Sequence, residues 1–209
     1  MDENKIPQWL EWAREIQSLS QTGLAFSSSN YETERYKRLM CIAAEIFEQN
    51  SDLKKKEIKK NFVNNPGYAT PKIDVRAAVI RGKKILLVHE AMDQKWAMPG
   101  GWCDVGDLPS SAVVRETKEE SGYDVVPVKV ISVLDANRSG RPLELYHAFK
   151  IIFLCEFIGG TAETSNETIG VDFFNLYKLP PLSTNRTNLN HIKEIKEHII
   201  NPARATNFD

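Results

Sequence analysis

The sequence predicts an α+β protein in which a small helical region precedes a mixed sheet packed between helices. Apolar residues in the first fifty positions recur at steps of three and four, which is the period of an amphipathic helix. Further along, short apolar runs are separated by turn residues, which is typical of strands. The helical and strand segments follow no regular βαβ order, so an α+β fold is favoured over a doubly wound parallel sheet.

Two amphipathic segments, residues 7–20 and 31–48, are the predicted helices of the first region. Gly23 is expected to end the first helix, because glycine breaks the apolar pattern there. Two helices of this size bury only one face against each other. We therefore expect the helical region to pack on the remaining chain or to form a homodimer, the commonest kind of oligomer.

The turn sequence Asn-Asn-Pro-Gly at residues 64–67 marks the boundary between two predicted domains, residues 1–66 and 67–209. In the second domain, a tight turn around Gly82 is expected to join the first two strands into a hairpin. The predicted strands cover residues 74–80, 84–89, 126–135, 148–157 and 170–175, and the predicted helices cover residues 112–121 and 189–200.

Composition narrows the class of protein. The chain has 42% hydrophobic and 26% charged residues, as a globular protein does. Its net charge is −1, so the overall basic character of many nucleic-acid-binding proteins is absent. A local basic run at residues 54–60 is interpreted as a solvated face, with an anion-binding patch as the alternative.

The cellular location follows from the cysteines and from hydropathy. The three cysteines lie far apart and form no CxxC pair, which favours free thiols in a reducing compartment. The N-terminus lacks the pattern of a secretory signal. The longest apolar stretch, near residues 151–158, is much shorter than the roughly 20 residues of a membrane helix. We therefore expect a cytoplasmic protein without a membrane partner.

Three glutamates on one predicted helix are the strongest candidates for functional residues. Glu119 and Glu120 follow Glu116 by three and four residues, so the three carboxylates share a helix face and repel one another. One arginine, Arg115, is too little positive charge to neutralise them. A hard divalent cation, Mg²⁺ or Mn²⁺, suits such oxygen ligands. The alternative interpretation is a solvated acidic helix end.

The glutamates belong to a longer motif that resembles the Nudix box, G-x5-E-x7-R-E-U-x-E-E-x-G-U, where U is a bulky apolar residue. Three positions depart from it: Asp107 replaces a glutamate, Thr117 replaces the first U and Tyr123 replaces the last. No departure removes a glutamate of the cluster, so we expect an active enzyme. The positions that fit are Gly101, Arg115, Glu116, Glu119, Glu120 and Gly122.

The resemblance implies an α/β/α sandwich and an enzyme that hydrolyses a nucleoside diphosphate linked to another moiety. It implies Glu116 and Glu120 as the principal metal ligands. Glu119 would be a further ligand and catalytic group, and the backbone carbonyl of Gly101 would complete the coordination. Arg115 would orient a glutamate through a salt bridge. Metal ions would neutralise the charge of the diphosphate and lower the pKa of bound water.

A general base outside the box is common in the family. The loop at residues 160–170 contains Glu163 and Glu167, and Glu167 shortly precedes the last predicted strand. The resemblance favours Glu167 as the base or an extra ligand, with Glu163 as the weaker candidate. The alternative for either residue is a glutamate exposed on a surface loop.

Three residues are candidates for substrate binding. Arg76 lies on a strand that leads toward the expected site and can bind phosphate in a bidentate manner. Arg138 lies in a polar loop and is a candidate for contact with phosphate or base, while Trp102 offers a ring for stacking on a nucleobase. The alternatives are a structural salt bridge for Arg76 and an exposed turn for Arg138.

Stretches outside the box, such as residues 21–24, 67–76 and 93–102, resemble a bacterial Nudix subgroup with a helical N-terminal extension. Members of this subgroup are ADP-ribose pyrophosphatases or CDP-choline pyrophosphatases. We predict hydrolysis of CDP-choline to CMP and phosphocholine, with ADP-ribose as the alternative substrate. Two other functions stay open: an RNA-processing enzyme acting on a 5′ phosphate or a 3′ end, and a non-catalytic nucleotide sensor.

Overall fold

The fold consists of two compact units, Met1–Pro71 and Lys72–Asp209. Three sequence features lie outside the described residues: the turn at residues 64–67, the basic run at residues 54–60, and Arg138. The structure is a computed structural model that describes residues 7–51, 69–104, 106–136 and 147–209.

The first unit contains two helices, α1 (Gln8–Phe26) and α2 (Asn30–Asn50). The Ser29 side chain caps α2 by accepting a hydrogen bond from a backbone N–H of the first turn. Among the described residues, no helix has the length and hydropathy needed to span a bilayer. Five side chains of the buried faces are Leu10, Ala13, Met40, Ala43 and Phe47.

Gly23 does not end α1, so that prediction was wrong. The helix continues to Phe26, and the ring of Tyr36 on α2 lies directly against the glycine. A Cβ atom at residue 23 would overlap this ring. The glycine therefore permits the two helices to approach closely, and the apolar pattern alone does not distinguish this use from a helix stop.

The second unit is built on one mixed sheet of seven strands, which confirms the predicted α+β class. The strands are β1 (Lys72–Arg81), β2 (Lys84–Glu90), β3 (Trp96–Ala97), β4 (Tyr123–Asp135), β5 (Ala148–Gly160), β6 (Thr168–Asn175) and β7 (Asn207–Phe208). The strand order is β3-β2-β1-β5-β4-β7, and β6 also pairs with β2. The β1–β5 and β4–β7 pairs are parallel, and the others are antiparallel.

Two helices cover opposite faces of the sheet: α3 (Pro109–Ser121) and α4 (Leu189–Ile200). Val75, Ala77 and Val79 of β1 pack in the core cluster that includes α3 residues. The intervening Ala78 packs in the cluster that includes α4 residues. This alternation follows from the two-residue period of a strand, and it gives the predicted sandwich.

The predicted β1–β2 hairpin forms only at its tip. The two strands pair at Ile80 with Ile85 and at Arg81 with Lys84, and then diverge. Beyond the tip, β1 pairs with β5 and β2 pairs with β6. Because β1 and β2 separate, the backbone at residues 98–101 can run beside β1, and this glycine-rich segment forms one wall of the site.

Candidate active site

The helix α3 carries the acidic side chains, and its ends are well defined. Pro109 occupies its first turn, where the missing N–H costs nothing. Gly122 ends the helix in the left-handed conformation, with φ of 74°, as the sequence predicts. The Gly122 N–H donates to the Lys118 carbonyl at 2.9 Å. The position of each glutamate on the helix is therefore fixed from both ends.

The Glu120 carboxylate is buried beside the glycine-rich segment. Only 7% of the residue is exposed, and Oε2 accepts a hydrogen bond from the Gly100 N–H at 2.8 Å. Burial raises the pKa of Glu120 to about 7, although the nearby Arg76 lowers it. The positive charge near Glu120 is too little to offset its burial, so a bound cation would favour the ionised form of this carboxylate.

The Glu116 carboxylate lies over Gly101. A Cβ atom at residue 101 would come within 2.6 Å of Glu116 Oε2, so this close approach requires glycine. Burial raises the pKa of Glu116, and Arg115 opposes that shift. The Gly101 carbonyl accepts a hydrogen bond from the Val75 N–H at 2.9 Å, which leaves its second lone pair for another partner.

Arg115 holds three carboxylates at once. Its Nη1 donates to Glu116 Oε1 at 2.8 Å and to Glu119 Oε2 at 3.2 Å. Its Nη2 donates to Asp107 Oδ2 at 3.1 Å, and this hydrogen bond is the largest cause of the raised pKa of Arg115. The aspartate that departs from the Nudix box therefore still reaches the arginine. The orienting role that the resemblance implies for Arg115 stays a prediction.

The residues fit a hard divalent cation by their chemistry, since the donors are carboxylate and carbonyl oxygens. Within the described ranges, no three acidic, histidine or cysteine side chains stand close enough to form a ready-made metal site. Arg115 occupies the carboxylates of Glu116 and Glu119. Each contact uses one oxygen of the carboxylate, so the other oxygen of each would be the one to contact a bound cation.

The loop before β6 brings Glu167 close to Glu120. The Thr168 hydroxyl donates to the Glu120 carbonyl at 2.8 Å, and the Ala91 N–H donates to the Glu167 carbonyl at 2.8 Å. The Glu167 side chain is exposed, as the side chain of a general base can be. Glu163 instead lies at the end of α3, where its N–H donates to the Ser121 carbonyl.

The structure adds two residues that the sequence analysis missed, Glu90 and Arg186. Glu90 is the last residue of β2 and is 4% exposed. Arg186 Nε lies 3.1 Å from Glu90 Oε1. Burial raises the pKa of Glu90, while Arg186 lowers it. Glu90 directly follows the apolar run that was predicted as a strand at residues 84–89. An acidic residue at the end of a buried strand was therefore the available signal in the sequence.

The three predicted substrate-binding residues have different surroundings. Arg76 is buried and uses its guanidinium inside the protein, donating to Asp74 Oδ1 at 3.0 Å and to the Met98 carbonyl at 3.3 Å. Trp102 is 44% exposed, and Lys72 Nζ lies 5.8 Å from the centre of its ring. Arg138 lies outside the described residues. Contact of any of the three with substrate stays a prediction.

The second unit is a mixed sheet between two helices, and the Glu116 and Glu120 carboxylates of α3 lie beside its glycine-rich segment. Two family profiles match the chain: the NUDIX domain over residues 70–194, and the UDP-X-like N-terminal oligomerisation domain of Nudix proteins over residues 7–62. The chain belongs to the Nudix family and is a Nudix pyrophosphohydrolase.

Similar proteins carry names that agree with this class. The putative ADP-ribose pyrophosphatase YjhB of Bacillus subtilis is 41% identical over 202 residues, 97% of each chain. The ADP-ribose pyrophosphatase of Methanocaldococcus jannaschii is 30% identical over 174 residues, 78% of this chain and 96% of that one.

Two solved structures are also similar. The ADP-ribose pyrophosphatase of Streptococcus suis has a TM-score of 0.62 and 37% identity, over 67% of this chain and all of that one. A UDP-X diphosphatase has a TM-score of 0.63 and 28% identity over the whole of both chains. Both support the fold of the second unit, and the UDP-X diphosphatase is similar along the full length.

Proposed function

We propose that the protein uses Mg²⁺ or Mn²⁺ to hydrolyse the diphosphate bond of a nucleoside diphosphate conjugate, with ADP-ribose as the first candidate substrate. The main observation that supports the metal dependence is the Glu120 carboxylate, which is 7% exposed and accepts from the Gly100 N–H at 2.8 Å. Burial there raises the pKa of Glu120 to about 7. The names of three similar proteins support ADP-ribose. CDP-choline, the substrate predicted from the sequence, is the second candidate.

Different residues of the chain would bind the cation and orient its ligands. Glu116, Glu120 and the Gly101 carbonyl would hold the cation, with Glu119 as a further ligand. The bound ion would supply charge neutralisation at the diphosphate and a lower pKa for coordinated water. Arg115 orients Glu116 and Glu119 through its two hydrogen bonds.

Glu167 would take the proton of the attacking water. The new bond joins the water oxygen to a phosphorus, and the bridging P–O bond breaks. The products would be AMP and ribose 5-phosphate from ADP-ribose, or CMP and phosphocholine from CDP-choline. The Thr168 hydroxyl contacts the Glu120 carbonyl of α3, and the Glu167 carbonyl contacts the Ala91 N–H after β2, so this loop would keep the base close to the reacting water.

The helical unit supports a homodimer. Five large apolar side chains of α1 and α2 are exposed: Trp12, Leu19, Phe26, Tyr31 and Leu39. A second copy of the chain would cover them, as the family description of this region suggests. Sedimentation that gives only the 23.7 kDa monomer at micromolar concentration would contradict the dimer. The three free cysteines support a reducing compartment such as the cytoplasm.

A substrate panel tests the proposed reaction. It contains ADP-ribose, CDP-choline, a UDP-sugar and a short 5′-triphosphate RNA, each with Mg²⁺, Mn²⁺ or a chelator. Products are separated by chromatography, and the Glu120→Gln variant is the inactive control. Metal-dependent release of AMP from ADP-ribose is the expected result. Release of CMP alone would select CDP-choline, cleavage of the RNA alone would select RNA processing, and binding without turnover would favour a nucleotide sensor.

A further inference from the structure

Glu90, a buried acidic residue outside the Nudix box, is the last residue of β2. It is 4% exposed, and its Oε1 atom makes no hydrogen bond of normal geometry within the described residues. Its ionic partner is Arg186, at 3.1 Å. A buried carboxylate with one ionic contact keeps acceptor capacity, because two oxygens offer about four lone pairs.

Backbone contacts bring Glu90 to the same place as Glu120 and Glu167. Glu90 pairs with Thr168 in the β2–β6 ladder, and the Thr168 hydroxyl donates to the Glu120 carbonyl at 2.8 Å. Ala91, the next residue after Glu90, donates its N–H to the Glu167 carbonyl at 2.8 Å. The ladder changes register between residues 89 and 90, and such a bulge re-aims a side chain.

The charges of these groups influence one another, because the contacts just described bring their segments together. Burial raises the pKa of Glu120 most, and the charge of Glu90 adds to the rise. Burial likewise raises the pKa of Glu90 most, and Glu167 adds to it. Burial alone would lower the pKa of Arg76, but the charges of Asp74, Glu120 and Glu90 raise it, and the net shift is upward. The three carboxylates therefore share one electrostatic environment.

Arg186 is held rigidly beside Glu90. The buried Lys150 donates its ammonium to the Arg186 carbonyl at 3.0 Å, and Arg186 Nη1 donates to Ser183 Oγ at 3.2 Å. The Arg186 side chain is 25% exposed. Its guanidinium can therefore balance the Glu90 carboxylate when no cation is present, without leaving its own position.

We propose that Glu90 is a further carboxylate of the metal site, beside Glu120, and that Arg186 balances its charge and limits how tightly the site binds a divalent cation. This inference rests on the proposed metal-dependent function. It assigns a role to a strand residue that lies outside the motif on α3. Because Glu90 and Arg186 carry opposite charges, replacing each in turn should change the affinity for a cation in opposite directions.

The experiment measures Mn²⁺ affinity in the absence of substrate. Free Mn²⁺ is followed by electron paramagnetic resonance during titration of the full-length chain. The variants are Glu90→Gln, Arg186→Gln and the double variant. Glu156→Gln, which removes an exposed glutamate from the same sheet, is the matched control, and Glu120→Gln reports on the proposed site itself.

Glu90→Gln should weaken Mn²⁺ binding about tenfold, while Glu156→Gln should change it by less than about twofold. Arg186→Gln should bind Mn²⁺ at least as tightly as the wild type, because a positive charge near the cation is removed. The double variant should bind more weakly than Arg186→Gln. The double variant leaves neither Glu90 nor Arg186 without its partner charge. It therefore tests Glu90 even if the Glu90→Gln variant fails to fold.

Two outcomes would overturn the inference: wild-type Mn²⁺ affinity in Glu90→Gln, or equal affinity in Arg186→Gln and the double variant. Equal thermal destabilisation of both single variants with unchanged Mn²⁺ affinity would identify a purely structural ion pair. If Glu120→Gln weakens binding and Glu90→Gln does not, the proposed function stands without this inference. If the wild type binds no Mn²⁺, both fall.

Discussion

Replacing Glu120 by glutamine should stabilise the metal-free protein at alkaline pH. The pKa of Glu120 rises from 4.5 to about 7 on folding, chiefly because the carboxylate is buried. At about 1.4 kcal/mol per pKa unit, the ionised carboxylate costs about 3 kcal/mol of folding free energy above pH 7. Glutamine has the same shape and no charge, and its carbonyl can still accept from the Gly100 N–H.

The pH dependence has a definite sign. A raised folded pKa gives stability that is complete below about pH 4.5 and is lost as the pH rises through about 7. Glu120→Gln should therefore match the wild type near pH 4.5 and exceed it by up to about 3 kcal/mol at pH 8.5. In thermal unfolding with a chelator, this difference is on the order of 10 °C.

The control is Glu119→Gln, which changes an exposed carboxylate of the same helix. It should change the unfolding free energy by less than about 0.5 kcal/mol at either pH. Lower stability of Glu120→Gln at pH 8.5, or a difference from the wild type that does not vary with pH, would refute the reasoning. Added Mn²⁺ should stabilise the wild type and not Glu120→Gln.

Three other substitutions test the roles of Glu167, Gly101 and Gly23. Glu167→Gln should lower kcat about 10²- to 10⁴-fold with little change in Mn²⁺ affinity, measured by steady-state kinetics and metal titration. Gly101→Ala should displace the Glu116 carboxylate and weaken Mn²⁺ binding more than about tenfold, while circular dichroism shows an intact fold. Gly23→Ala should lower the unfolding midpoint, because overlap with the Tyr36 ring costs about 1–3 kcal/mol against a helix-propensity gain of about 1 kcal/mol.

Each of these predictions has a control or a contradictory result. Glu163→Gln removes the other loop glutamate and should keep kcat near the wild-type value. Gly82→Ala places a Cβ in open space at φ of 63°, so it should cost some stability and leave Mn²⁺ affinity unchanged. A higher unfolding midpoint in Gly23→Ala would mean that the first helix tolerates the added methyl group.

Local signals in the sequence were enough for the four helices and for five of the seven strands of the described residues, but not for the two-residue strands β3 and β7. The helix at residues 189–200 was predicted to the residue, and in the structure the Asn188 side chain caps its first turn. The α3 helix starts three residues earlier than predicted, since proline is favoured in a first turn. The spacing of the three glutamates and Gly122 needs no tertiary information, because helix geometry sets it.

Long-range contacts decided what each side chain does. The pairing of Glu90 with Arg186 joins residues 96 positions apart, and no local pattern records such a contact. The burial of Arg76 against Asp74 depends on where the glycine-rich segment runs, which follows from the divergence of β1 and β2. The use of Gly23 depends on the helix opposite it.

The sequence by itself determined the helical periodicity, the end of α3 at Gly122 and the spacing of its three glutamates, because these depend on neighbours within a few positions. Only the tertiary structure decided which carboxylates are desolvated and which cations balance them. Desolvation and charge balance depend on atoms that folding brings together from distant parts of the chain. The raised pKa of Glu120 and the Glu90–Arg186 contact are therefore properties of the folded molecule alone.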